Sequence, residues 1–141
     1  LQTGTYVFGA STGSTGSVTL KSGATLAVAP GAGPVRVYFA GSWNSSGGAV
    51  VNPTGLASNL VIAGLPTVPS VTLAGNAGAT YAAYAPTADI KVTGGSYIEG
   101  ALIGASVKLS SGVAVHYDRS LTRAPDFSSQ TGWALTALHR Q

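Results

Sequence analysis

Hydrophobic and polar residues alternate along several short segments of this chain, and a turn of Gly, Ser or Asn closes each segment. The clearest examples are VTLKSG, VRVYFAG, NLVIAG, VTLAGN, IKVTGG and VKLSSG. Alternation with a period of two, ended by turn residues, indicates β-strands. Apolar stripes with a helical period are absent, and Gly or Pro interrupts the chain too often for long helices. The pattern therefore predicts an all-β protein.

Four of the segments align without a gap and define columns of equivalent residues. They begin at Val18, Val71, Ile90 and Val107. The next two columns are polar and then apolar, with Thr19, Thr72, Lys91 and Lys108 followed by Leu20, Leu73, Val92 and Leu109. A corner column precedes a further apolar column, with Gly23, Asn76, Gly95 and Gly112 followed by Leu26, Ala79, Ile98 and Val115.

The spacing of the columns sets the length of the repeat. Ile90 follows Val71 by 19 residues, and Val107 follows Ile90 by 17 residues. The longer gap between Val18 and Val71, 53 residues, is close to three more turns of this length, and we expect Val35 to begin one of them. Alternating segments with corner residues at a fixed period are typical of β-solenoids, although a β-sandwich also uses many short strands.

We therefore predict a right-handed parallel β-solenoid with about 17–19 residues per coil and a C-terminal cap. The chain is expected to form a single domain, with a lead-in or cap at residues 1–17, coils at 18–117 and a C-terminal cap at 118–141. Strand stacks need caps because an open end exposes strand edges. His116, Tyr117, Asp118 and Trp133 are the residues expected to attach the cap to the last coil.

Composition removes several classes of protein. Only 8% of the 141 residues are charged, yet Gly, Pro, Asn and Ser break every apolar run before it reaches the ~20 residues of a membrane-spanning helix. The hydrophobic fraction of 45% argues against disorder. The seven basic residues are scattered, so no nucleic-acid surface is expected. The absence of cysteine excludes disulfides and thiolate metal sites.

Catalytic chemistry has little support in the sequence. The stretch GASTG contains Ser11 in a G-x-S-x-G pattern, but the Gly- and Ser-rich residues after it do not suit the helix of a nucleophile elbow. Asp89 and His116 follow Ser11 in the order of a catalytic triad, which we interpret as coincidence. The chain has only four carboxylates, a short supply for a glycosidase or a calcium-dependent lyase. We expect no enzyme, no cofactor and no metal.

Several residues are candidates for surface contacts instead. Glu99 and His116 fall in one outward column, either as a proton-transfer pair or, as we favour, as an exposed cross-strand pair. Lys91 and Lys108 should lie one above the other, where they either keep the surface free of other proteins or attract an acidic polymer. The tyrosines are expected to form either a sugar-binding outer surface or ordinary solenoid packing, and they are Tyr81, Tyr84, Tyr97 and Tyr117.

The stretch from Val71 to Leu121 carries a family resemblance. Its glycine-cornered repeats, the YAP of Tyr84–Pro86, the VHYD of Val115–Asp118 and the late Trp133 resemble the C-terminal β-helical domain of PilX-like, type IV pilus-associated bacterial proteins. That domain has no characterised function, and a more distant similarity is to polymer-forming bactofilins. The resemblance implies a surface-exposed bacterial protein and supplies no catalytic residues.

The expected function is a non-enzymatic structural or assembly module of a bacterial cell-surface, extracellular-filament or pilus-associated protein. Its location would be extracellular or on the cell surface, and its partners would be copies of itself or other pilus and surface proteins. An adhesin-type module that binds glycans or another surface polymer is the alternative. A polysaccharide-acting β-helix enzyme is a third hypothesis, and these assignments rest partly on analogy of fold.

Overall fold

The computed structural model describes residues 1–9, 15–76, 79–95 and 97–123. Ser11 and Trp133, and with them most of the expected C-terminal cap, lie outside the described residues. The described chain contains eleven strands and two short 3-10 helices, Ala57–Asn59 and Arg119–Arg123. The strands are β1 (Gly4–Phe8), β2 (Val18–Thr19), β3 (Thr25–Ala27), β4 (Val35–Phe39), β5 (Trp43–Asn44), β6 (Ala49–Val51), β7 (Leu60–Gly64), β8 (Ser70–Ala74), β9 (Ala79–Thr93), β10 (Tyr97–Leu109) and β11 (Ala114–Tyr117).

Parallel pairing connects these strands into two ladders. The first ladder runs β1, β4, β7, β9, β10 and β11, and the second runs β2, β5, β8, β9 and β10. Because β9 and β10 are long enough to take part in both, they join the ladders into one nine-stranded, nearly closed sheet. Strands β3 and β6 form a separate parallel pair. The prediction of an all-β protein with parallel strands is confirmed.

The predicted columns in the C-terminal half are confirmed by the register of the strands. Val71 lies opposite Ile90, and Ile90 lies opposite Val107. The same pairings place Leu73, Val92 and Leu109 in one column, and Ala79, Ile98 and Val115 in another. Residues 17–19 positions apart therefore lie over one another from β8 onward.

The predicted columns in the N-terminal half are wrong in two places. Val35 does not continue the column of Val18 but pairs with Gly4 and Leu60 in the first ladder. Trp43 pairs with both Val18 and Val71. The chain therefore passes from Val18 to Val71 in two longer turns and not in the three that were expected. The alternation in β4 is as regular as in the other segments, and periodicity alone does not say to which ladder a strand belongs.

A further N-terminal expectation is corrected by the pairing. Leu26 pairs with Val50 in the small β3–β6 sheet and not with the column of Ala79. Within the segment 1–17, strand β1 pairs with β4 at one end of the first ladder. The chain thus enters the sheet earlier than the repeat pattern indicates. The first strands are irregularly spaced along the sequence, so the period of 17–19 residues does not reveal them.

The core lies between the two ladders and is filled by alternate residues of their strands. Val35, Val37 and Phe39 of β4 are buried there. Trp43 is buried against Phe39, with ring centroids 5.3 Å apart. Burial of this apolar surface, at about 25 cal/mol per Å², is the main stabilising contribution. Of the helices in the described part of the chain, neither has the length and apolar character needed to cross a membrane.

Turn glycines supply backbone angles that other residues rarely adopt. Gly23 and Gly112 both have φ of +79°, as expected from their place in the predicted corner column. Gly100 within β10 has φ of +150°, and a Cβ atom there would lie 1.8 Å from the backbone oxygen of Tyr81. A side chain at Gly100 would therefore push β10 away from β9.

Candidate functional site

An open pocket of about 760 Å³ lies where the two 3-10 helices meet the outer face of the first ladder. Ala57 and Leu121, one from each helix, are buried against Val61 and Ala82 of the sheet. This small apolar cluster is separate from the main core and holds the helices in place. The pocket rim above it is formed mainly by polar and charged side chains.

Asp118 connects the two helices through hydrogen bonds. Its Oδ2 accepts a hydrogen bond of 2.5 Å from the backbone N–H of Ala57, which lies 61 residues earlier in the chain. The N–H of Ser120 donates to Oδ1 at 2.8 Å, and the hydroxyl of Ser120 donates to Oδ2 at 2.7 Å. The Ser120 hydroxyl also accepts a hydrogen bond of 3.2 Å from the N–H of Ser58. Asp118 was expected to attach the cap to the last coil, and its described contacts fix residues 118–120 to the first 3-10 helix, which precedes β7.

These contacts control the protonation of Asp118. Partial burial pushes the pKa of its carboxyl upward, but the hydrogen bonds from Ala57 and Ser120 outweigh this effect. The pKa of Asp118 therefore lies below its ordinary value of 3.8. The carboxylate is ionised at neutral pH, and three hydrogen-bond donors are directed at it.

Three arginines line the same pocket as this carboxylate. Arg36 reaches the pocket from β4, is buried, and donates from Nη1 to the carbonyls of Val35 and Ser58 at 3.2 and 3.1 Å. Arg119 and Arg123 begin and end the second 3-10 helix, and both are exposed. The described lining of the pocket thus includes three arginines and one aspartate, and Asp118 is already held by backbone and hydroxyl donors.

The predicted pair of Glu99 and His116 is brought together by the structure. The two residues are directly opposite in the register of β10 and β11, and both are exposed. The ring of His116 contacts Tyr97, with centroids 5.4 Å apart and planes tilted by 61°. This pair therefore lies on a surface that is open to solvent.

The two predicted lysines also lie together. Lys91 and Lys108 are directly opposite in β9 and β10, and both are exposed. Their column continues through Thr72 and Asn44 to Thr19, so the positive charge is confined to two successive strands. This short basic column is in the second ladder and is separate from the arginine-lined pocket.

Of the two alternatives for the tyrosines, the outer surface is wrong for Tyr81, because its ring lies in the core. Its side chain is 0% exposed, and burial raises the pKa of its hydroxyl. The Tyr81 hydroxyl has no hydrogen-bond partner among the described residues. Tyr84 is half-buried, and only Tyr97 and Tyr117 are exposed, at 42% and 47%. The four tyrosines do not form one aromatic platform.

The pocket was missed by reasoning from the sequence. Arg36 lies more than 80 residues before Arg119, and no period links the two positions. A weak signal was available in the pattern Asx-x-Ser/Thr, which occurs at Asn44, Asn52 and Asp118 and, outside the described residues, at Asp126. At the three described sites the side-chain oxygens accept hydrogen bonds from the N–H and hydroxyl of the residue two positions later.

The chemistry available to this arrangement is binding of an anion. Across the described ranges, no group of three or more His, Cys, Asp or Glu side chains is placed to hold a metal ion. Among the lining residues that the structure describes, Asp118 is the acidic side chain, and its oxygens are held by three donors. Guanidinium groups, by contrast, present planar sets of donors suited to carboxylate and phosphate groups.

Comparison with known proteins identifies the domain family. The family model described as "Domain of unknown function (DUF7305)" matches residues 11–124, which is well over half of the 141-residue chain. Nothing matches the chain in the comparison with curated proteins or in that with solved structures. None of the comparisons links it to PilX-like proteins or bactofilins. This chain, including every residue of the arginine-lined pocket, belongs to the DUF7305 family.

Proposed function

We propose that this domain is a right-handed parallel β-solenoid that serves as a non-enzymatic structural and assembly module. In this proposal each circuit of the chain forms one coil, and the two ladders are two faces of the coil stack. A right-handed path is favoured because parallel crossover connections take that hand in nearly all proteins. The proposed setting is a bacterial cell-surface, extracellular-filament or pilus-associated protein, which rests on the resemblance given above.

The change in exposure along the apolar columns carries the assembly proposal. Ile90 and Val92 in β9 are 0% exposed, whereas Val107 and Leu109, opposite them in β10, are 42% and 45% exposed. The same change occurs in the first ladder, from Ile98 at 0% to Val115 at 37%. The apolar side chains of these columns are thus buried in the inner strands and exposed to solvent at the β10–β11 end of the described sheet.

Such an end is suited to adding another copy of the domain. Within the described residues, the second half of β10 has a neighbouring strand on one side, namely β9. A strand edge beside exposed apolar side chains favours pairing with a further strand. Stacking of copies end to end would bury the exposed column residues and continue both ladders.

Sedimentation velocity across a wide range of protein concentration tests this proposal. We expect elongated oligomers that grow with concentration, and we expect Leu109→Asp to abolish them by placing a charge in the contact. Leu65→Asp is the matched control, since Leu65 is 37% exposed and lies in the loop between β7 and β8. A protein that stays monomeric at every concentration, or equal loss of oligomers in both variants, would contradict assembly through this end.

A further inference from the structure

The arginine-lined pocket has no part in the proposed assembly, which uses the exposed end of the apolar columns. Its charge nevertheless stands out against the rest of the chain. The chain contains seven Lys and Arg residues in total, and three of them line this one pocket. Positive charge is scarce in this chain, and a large share of it lies in this one concave site.

We propose that this pocket binds an oxyanion, a carboxylate or phosphate group, that is carried on a sugar chain. The inference is independent of the assembly proposal. It gives the glycan-binding alternative a specific site, and it assigns that site to acidic glycans.

The two exposed guanidinium groups, of Arg119 and Arg123, supply the anion recognition. Arg36 is buried in the pocket wall, where it donates to the carbonyls of Val35 and Ser58. Arg119 and Arg123 lie at the two ends of the second 3-10 helix and are exposed at the rim. Hydrogen bonds between guanidinium and an oxyanion are charge-assisted and stronger than those between neutral groups.

Asp118 is the acidic side chain among the described lining residues, and its oxygens are already engaged. Both accept hydrogen bonds, from Ala57 and Ser120, which hold the carboxylate against the first 3-10 helix. On the described rim a ligand oxyanion therefore meets the two exposed cations of Arg119 and Arg123. Electrostatic attraction of this kind weakens as salt concentration rises.

The remaining lining residues suit a sugar. Asn59 and Thr122 add neutral polar side chains, and Ser58 adds a further hydroxyl. Leu56, which is 46% exposed, provides an apolar wall beside them. A few polar groups set in a partly apolar concavity are typical of sites for small polar ligands. The combination favours an acidic sugar over a nucleic acid, which needs a basic groove that follows a long backbone.

Isothermal titration with tri-galacturonate tests the inference, with the same oligomer methyl-esterified as the uncharged comparison. A sugar phosphate and inorganic phosphate form two further arms that distinguish the source of the oxyanion. We expect the charged oligomer or the sugar phosphate to bind, the ester to bind at least about tenfold more weakly, and added salt to weaken binding. Binding of inorganic phosphate alone, equal binding of the ester, or no binding in any arm would overturn the inference.

A pair of matched double variants locates the site. Arg119→Gln with Arg123→Gln removes two exposed positive charges from the pocket, and Lys91→Gln with Lys108→Gln removes two from the second ladder. We expect the arginine variant to weaken binding by about tenfold or more and the lysine variant to change it less than about twofold. Equal weakening in both would show non-specific attraction and refute the site. Circular dichroism and sedimentation of each variant separate loss of binding from loss of fold or assembly.

Discussion

Replacement of Asn52 by alanine is expected to destabilise the domain far more than the same replacement at Asn44. Asn52 is 3% exposed, and all of its hydrogen-bonding capacity is used. Its Nδ2 donates to the carbonyls of Leu56 and Thr80 at 2.8 and 2.9 Å. Its Oδ1 accepts from the N–H and the hydroxyl of Thr54 at 3.2 and 2.6 Å. One buried amide therefore ties the loop before β7 to strand β9.

The size of the loss in stability follows from the polar groups that Asn52→Ala leaves without a hydrogen-bond partner. Thr80 is 4% exposed, so its carbonyl would lose a donor where water does not easily replace it. A buried polar group without its partner costs about 1–3 kcal/mol, and the lost side-chain volume adds to this. We expect a total of about 2–4 kcal/mol, a large part of the ~5–15 kcal/mol by which domains are stable. The melting temperature should fall by roughly 5–15 °C.

Asn44 is the matched control for the turn itself. Its Oδ1 accepts hydrogen bonds of 3.0 and 2.7 Å from the N–H and hydroxyl of Ser46, so the local turn is the same. Asn44 is exposed, however, and water replaces whatever its removal breaks. We expect Asn44→Ala to cost less than about 1 kcal/mol in urea and thermal unfolding. Equal destabilisation by the two variants, or a loss below about 1 kcal/mol for Asn52→Ala, would refute this reasoning.

Three other substitutions test separate parts of the fold. Gly100→Ala should destabilise the domain by about 2–4 kcal/mol, because Gly100 has a positive φ and lies close to the backbone oxygen of Tyr81. Gly95→Ala is the control: open space surrounds Gly95, so this variant should cost less than about 1 kcal/mol in thermal unfolding. Tyr81→Phe should leave stability unchanged or raise it, since the buried hydroxyl lacks a described partner; marked destabilisation would contradict this. Because burial raises the pKa of Tyr81, stability is complete below its ordinary value of 10.0 and declines at higher pH, and the phenylalanine variant should reduce that decline. Asp118→Asn should destabilise the domain by about 1 kcal/mol at neutral pH. The difference in stability between this variant and the original protein should vanish as pH falls from 3.8 through the lowered pKa of Asp118 in the folded state. A difference that does not change with pH would contradict a stabilising role of the ionised carboxylate.

The C-terminal columns were predictable because each is repeated at nearly constant spacing. Val71, Ile90 and Val107 begin segments with the same order of apolar, polar and corner residues. When strands pair in parallel register, equivalent residues come to lie side by side, and a regular period states which residues those are. The sequence pattern and the pairing in this half of the domain therefore agree.

The N-terminal half was not predictable in the same way. Val18 and Trp43 pair through strands only two residues long, too short to show alternation. Loops of different length also separate the successive strands there. The pairing partner of Val35 is consequently set by three-dimensional packing and not by a local period.

The candidate functional residues were predictable from the sequence only where they lie in the repeated columns. The pairing of Glu99 with His116 and of Lys91 with Lys108 follows directly from the columns, and the structure brings both pairs together. Tyr81 lies in the core, which the outward assignment of the tyrosines did not anticipate. The arginine-lined pocket depends on helices and a loop that lie outside the repeat, so no column of the sequence points to it.

Interstrand nuclear Overhauser effects on isotopically labelled protein test the layered arrangement most directly. Neighbouring strands of a ladder lie about 4.8 Å apart, close enough for backbone protons of paired residues to give cross-peaks. The strand pairing predicts cross-peaks that connect the strand around Ile90 with those around Val71 and Val107, and that connect Trp43 with the strands of Val18 and Val71. Cross-peaks that place Ile90 beside strands other than β8 and β10, or that show antiparallel pairing there, would contradict it.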